Sequence, residues 1–173
     1  MRGALEFWSI PFPELNFTVP YVPTPKHVAR EMLKLANVGP EDVVYDLGSG
    51  DGRIPIMAVE EFNAKKAVGI EIRSDLVQIA REEVRKRGLE RRVEIIQGDV
   101  LEVPLSEATV VTMFLLPDLM ELLRPKLEKE LREGARIVSH EYPMAKWKPV
   151  KVVRLEDKYM YHTLFLYEVG KSF

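Results

Sequence analysis

Apolar positions recur along this chain with two spacings. From Thr24 the residues Val28, Met32, Leu33 and Leu35 follow a helical period. Thr24 reads as the cap, Pro25 as the first helical position, and Gly39-Pro40 as the stop. Val43 to Leu47 is then a short apolar run of strand type, followed by a helix over 53–62. Ala67 to Ile70 is a second buried strand, ending in Glu71. Residues 75–87 form a helix with Leu76, Ile79, Ala80 and Val84 on one face, stopped by Gly88. Val93, Ile95 and Ile96 mark a third strand, which ends at Gly98-Asp99. Ala108 to Phe114 is a fourth strand, and 117–131 a helix with Leu119, Leu122, Leu123 and Leu127 inside. Ala135 to Ser139 is a fifth strand. Val150 to Leu155 and Tyr161 to Val169, joined by a turn at Glu156-Asp157-Lys158, predict an antiparallel hairpin.

Strand and helix alternate through 43–139, so the chain is expected to be α/β, doubly wound around a mostly parallel sheet with helices on both faces. Residues 1–173 read as one domain, with a proline-rich arm over 1–25 and a core over 26–173. Pro11, Pro13, Pro20, Pro23 and Pro25 keep the arm extended or turning, and Leu5, Phe7, Trp8, Ile10 and Phe12 make it a hydrophobic strap.

Composition narrows the chemistry. There is no cysteine, which excludes disulfides, thiolate metal sites and cysteine nucleophiles. The net charge of -2 argues against nucleic-acid binding by bulk electrostatics. The charged run from Arg81 to Arg92 reads as a solvated face balanced by Glu82, Glu83 and Glu90, with docking of an acidic protein or RNA as the alternative. Few Asn and Gln beside many Glu, Lys and Arg point to a heat-adapted source. No membrane-spanning or signal segment is evident, so a cytoplasmic location and no membrane partner are expected.

The chemistry concentrates at Asp46-Leu47-Gly48-Ser49-Gly50-Asp51-Gly52, a glycine-rich turn between a strand and a helix. Glu71, ending the next strand, is placed to accept both hydroxyls of a ribose, and Asp99, ending the third, to accept from an adenine amine. A dinucleotide would bring an anionic pyrophosphate against Asp46 and Asp51, which is repulsive. These carboxylates suit the ammonium and sulfonium of S-adenosylmethionine (SAM) instead.

The chain resembles the class I SAM-dependent methyltransferases. More narrowly, it resembles the archaeal broad-specificity protein lysine methyltransferases and their mitochondrial relatives. The resemblance rests on Tyr21-Val22-Pro23-Thr24-Pro25, Val44 to Arg53, Ala108 to Pro117, and Val138-Ser139-His140-Glu141-Tyr142 with Trp147 beyond. It implies a seven-stranded Rossmann-like sheet, SAM as methyl donor, and an arm around Tyr21 to Thr24 that closes over the cofactor. The expected cofactor-binding set is Tyr21, Val22, Thr24, Asp46, Gly48, Ser49, Gly50, Glu71, Ile72, Asp99, Val100 and Phe114.

For the acceptor, Phe114-Leu115-Leu116-Pro117 offers no polar side chain to hold the exocyclic amine of a base, and methylation at a pyrimidine carbon lacks its cysteine. His27, His140 and His162 show no metal-ligand spacing in the chain, so no metal is expected. Lysine amines on protein substrates, with broad specificity, fit best, because a desolvated channel lowers the amine pKa. Leu115, Leu116, Tyr142 and Trp147 would rim that channel, with His140 and Glu141 orienting amine or substrate. His140 as a satisfied strand-end histidine and Trp147 as a core cover are the alternative readings. An RNA or small-molecule methyltransferase on the same fold, and a non-catalytic SAM-binding protein, also remain open.

Overall fold

The computed structural model describes residues 21–173 and, as backbone, two short strands before them. These are β1 (Pro11–Phe12) and β2 (Phe17–Thr18), an antiparallel ribbon two residues long, where the prolines had predicted no ladder. The expected packing of Leu5, Phe7, Trp8 and Ile10 lies outside the described residues. The chain continues as α1 (Lys26–Leu35), β3 (Val43–Leu47), α2 (Arg53–Glu60), β4 (Lys66–Glu71), α3 (Ser74–Lys86) and β5 (Val93–Gln97). It closes with β6 (Val110–Met113), α4 (Pro117–Glu130), β7 (Arg136–His140), β8 (Lys151–Glu156) and β9 (Tyr161–Glu168).

The main sheet has seven strands in the order β5-β4-β3-β6-β7-β9-β8. The first five run parallel, while β9 lies antiparallel to both β7 and β8. The order reverses at β3, with β4 and β5 on one side and β6 and β7 on the other, and the crevice at such a point is where open α/β sheets bind ligands.

Alternation along each strand divides the core in two. Val44, Ala67, Val93 and Val110 pack with Val28, Met32 and Leu33 of α1, Ile54 and Ala58 of α2, and Val77 and Ala80 of α3. Tyr45, Val68, Val111 and Ile137 pack on the opposite face with Met120, Leu123 and Leu127 of α4. The winding is lopsided, because the β5–β6 connection holds no helix and covers that second face with Val100, Leu101, Val103 and Leu105.

Three local expectations are corrected. Thr24 does not cap α1; Pro25 holds the cap position with no side-chain bond, and the Thr24 hydroxyl turns toward His140. Ile79 is 54% and Leu122 66% exposed, while Val77 and Met120 take the buried places. Helical spacing marks a face, but the crossing angle over the sheet decides its edges. Among the described residues, no helix is long and apolar enough to cross a membrane.

Candidate active site

The glycine loop leaves β3 by a backbone route that side chains would obstruct. Gly48 and Ser49 both donate their N–H groups to the Ile70 carbonyl at 2.9 Å, pulling the turn against the end of β4. Gly48 and Gly50 have φ of 77° and 55°, in the left-handed region. A Cβ on Gly50 would stand 2.8 Å from the Tyr21 ring, and one on Gly48 3.0 Å from Leu115. The loop is thus pressed between the arm and the chain after β6.

The acids at the strand ends are held by backbone donors. Glu71 Oε1 accepts from Gly50 N at 2.9 Å and Oε2 from Arg73 N at 3.0 Å, so both oxygens are fixed with lone pairs left over. Asp99 Oδ1 accepts from Leu101 N at 2.8 Å. Asp46 is buried and accepts from the Thr112 hydroxyl at 2.8 Å. Burial pushes its carboxyl up to about 7 against that hydrogen bond, with the charges of Glu71 and Asp51 adding to the rise.

Asp51 departs from expectation. Its carboxylate is clasped by Arg53, with Nε to Oδ1 at 3.0 Å and Nη2 to Oδ2 at 2.6 Å. Burial alone would raise its pKa, but the hydrogen bonds and charge of Arg53 hold it below the usual range. Its charge is therefore matched within the protein, and Asp46 is left to meet a cation. Arg53 also donates from Nη1 to the Thr24 carbonyl at 3.1 Å, fastening the arm to the loop. Sequence reasoning missed this role, although a signal was available: Arg53 opens α2, where the helix dipole disfavours a cation.

Tyr21, Val22, Thr24, Asp46, Gly48, Ser49, Gly50, Glu71, Ile72, Asp99, Val100 and Phe114 all border one pocket at the carboxyl edge of the sheet. Arg53, Ile54, Arg73, Leu101, Leu119 and Leu122 join them unforeseen. Ser49 Oγ and Arg73 Nη1 are buried without a hydrogen-bond partner among the described residues, and Ser49 Oγ occupies the space beside Gly69, where a Cβ would stand 2.6 Å from it. Neutral backbone donors, fixed carboxylates and an apolar wall together fit a nucleoside joined to a zwitterionic amino acid.

The acceptor-side candidates divide. Leu115 lines the pocket, Leu116 is 40% exposed at the start of α4, and Tyr142 stacks on Phe114 with centroids 6.4 Å apart. His140 packs on Phe114 at 4.1 Å but is buried, facing Thr24 Oγ1 at 3.3 Å and His162 Nδ1 at 3.0 Å. Burial and then His162 push its pKa down to about 4, so it is neutral near pH 7. Glu141 turns away from the pocket lining. Its φ is 72°, and it turns to β9, accepting from Thr163 N at 2.9 Å.

Trp147 is likewise remote from the pocket. Its ring stacks on Phe173 at 4.1 Å, and Nε1 donates to Glu128 at 2.8 Å, behind α4. The resemblance placed it beside the channel, but its ring is buried in the core with Tyr167 and Phe173, as the alternative reading of a core cover has it.

With this geometry in view, residues 46–151 match the family described as the ANTKMT methyltransferase domain. The chain belongs to this family. It is 52% identical to a protein-lysine N-methyltransferase of Saccharolobus islandicus, over 88% of this chain and 95% of that one. It is 37% identical to the adenine nucleotide translocase lysine N-methyltransferase of Mus musculus, over 80% of this chain, and spans 60% of that longer protein. A solved structure described as an RNA methyltransferase from Salinibacter ruber, in complex with S-adenosyl-L-homocysteine, superposes with a TM-score of 0.81. It is 47% identical and covers 86% of this chain and 94% of its own. The methyltransferase is thus Rossmann-like in fold and uses SAM as its methyl donor.

Proposed function

We propose that this methyltransferase transfers the methyl group of SAM to lysine side-chain amines on proteins, accepting several targets. One observation carries the choice of acceptor. The wall facing the glycine loop is built from Phe114, Leu115, Leu119 and Leu122, with no side chain able to grip the polar edge of a base. When bound, SAM supplies an electrophilic methyl group on a sulfonium. The protein's share is to bind and orient: Glu71 at the ribose, Asp99 at the adenine, Asp46 and the glycine loop at the amino-acid end, and the Tyr21–Thr24 arm as cover.

Beside an apolar wall the lysine ammonium loses hydration, which lowers its pKa from about 10.4 and frees a lone pair for in-line attack. The rate is therefore expected to rise with pH. The names of the relatives from Saccharolobus and mouse support lysine. Within the basic run, Arg81 bonds the Ile95 carbonyl, Arg87 pairs with Glu83 and Glu60, and Arg92 bonds the Ala64 carbonyl, so these three arginines also serve the fold.

Incubation with labelled SAM and cell extract, split between protease and nuclease treatment and followed by mass spectrometry, tests the reading. Protease-sensitive label on lysines is the expected result. Label confined to RNA would overturn it in favour of the acceptor named for the Salinibacter protein, and label confined to small molecules would overturn it in favour of a small-molecule acceptor.

A further inference from the structure

His27, Asp157 and His162 are scattered in sequence, but the fold gathers them outside the SAM pocket. His27 comes from the first turn of α1, Asp157 from the β8–β9 turn, and His162 from β9. One ligand atom from each lies within 4.8 Å of the others. His162 Nε2 stands 2.8 Å and His27 Nε2 3.6 Å from Asp157 Oδ2.

We propose that these three residues form a binding site for a divalent transition-metal ion, with zinc as the ion that fits it best. Tetrahedral zinc with nitrogen and oxygen ligands at its usual bond lengths holds neighbouring ligand atoms roughly 3.3–3.5 Å apart. The two observed separations bracket that spacing. His162 Nε2 and Asp157 Oδ2 part slightly as the ion enters between them, while His27 swings inward from a side chain that is 48% exposed.

The outer partners are already in place. His162 Nδ1 is held by His140 Nε2 at 3.0 Å, which fixes the ring and presents Nε2 to the site. Asp157 Oδ1 accepts from Tyr159 N at 2.8 Å and Met160 N at 2.9 Å, which leaves Oδ2 for the ion. Two imidazoles and one carboxylate select zinc or a neighbouring transition metal over calcium or magnesium, which require more oxygen ligands. A second trio, His140, Glu141 and His162, is also close enough. Its two histidines, however, are both buried and already bond each other, so binding an ion there would break that bond. A metal at the outer site ties the start of α1 to the β8–β9 turn.

The test uses the full chain without a histidine tag and cobalt(II) as a visible probe. One equivalent of cobalt is expected to bind with tetrahedral absorption bands that zinc abolishes by displacement. Zinc should also raise the melting temperature. Outer-shell partners alone change metal affinity by about 10–100-fold, so loss of a direct ligand should weaken binding by more than about tenfold. His27→Ala and Asp157→Asn should each do so. His27 is half exposed, and asparagine keeps an oxygen for the Tyr159 and Met160 amides, so both variants are expected to fold, with SAM titration as the check. Absence of a cobalt spectrum, or a spectrum unchanged in both variants, overturns the site.

Discussion

Asp46 links the pH of the solution to the affinity for SAM. It is 4% exposed beneath the glycine loop, and burial raises its carboxyl from 3.8 to about 7. In mildly acid solution the unliganded protein therefore carries a proton there. The α-amino group of SAM is cationic below about pH 7.7, and a nearby ammonium favours the ionised carboxylate. Binding then expels the proton, and affinity should rise up to tenfold per pH unit until the unliganded pKa is reached. From pH 5 to pH 7 the expected gain is about 50-fold. Isothermal titration at pH 6 in two buffers of different ionisation enthalpy should count close to one proton released. Asp46→Asn keeps an oxygen for the Thr112 hydroxyl but removes the titration, so its affinity should be nearly flat with pH. A flat wild-type profile, or an equal slope in the variant, would refute the reasoning.

The same group has a stability signature of defined sign. Its native pKa lies above the unfolded value, so between pH 3.8 and about 7 the native state binds more protons. Stability falls as pH rises through that window, by roughly 4 kcal/mol at most from this one group. Urea unfolding of the unliganded protein at pH 8 should accordingly show Asp46→Asn to be the more stable form.

Other substitutions separate the pocket from its supports. Glu71→Ala should weaken SAM binding by about 1.5–3 kcal/mol, through lost charged hydrogen bonds, and an unchanged Kd removes Glu71 from the ribose site. Arg53→Met should release the Thr24 carbonyl, speed hydrogen exchange over 21–25 and weaken SAM by roughly tenfold; unaltered exchange would mean the arm is held by other contacts. Tyr142→Ala should lower kcat with SAM affinity kept, whereas a raised Kd for SAM would move Tyr142 to the cofactor side. Trp147→Ala should cost about 3–5 kcal/mol in urea unfolding while the folded enzyme keeps its kcat, and the reverse pattern would return Trp147 to the channel.

The sequence by itself determined the order of strands and helices, because each main-sheet strand is a local run of apolar residues and each helix a local periodicity. It also determined which glycines and acids gather at one pocket. Glycines after one strand and acids at the ends of the next two need only the βαβ rule to converge on one sheet edge. What sits around that pocket was decided by contacts distant in sequence. Thr24 reads locally as a helix cap, yet its hydroxyl meets His140, 116 residues away. Asp51 is clasped by Arg53 two residues on, but only the fold brings the Thr24 carbonyl of the arm to that arginine. Trp147 follows a segment whose exit from β7 no periodicity fixes, and packing on Phe173 and Tyr167 buries it away from the pocket. The three histidines show no ligand spacing along the chain. They gather because β9 inserts antiparallel beside β7, bringing His162 to His140 and the β8–β9 turn to the start of α1. Local pattern fixes which face a residue takes; the neighbour that face meets is set by strand insertion and helix docking, whose free energy is shared across the whole core.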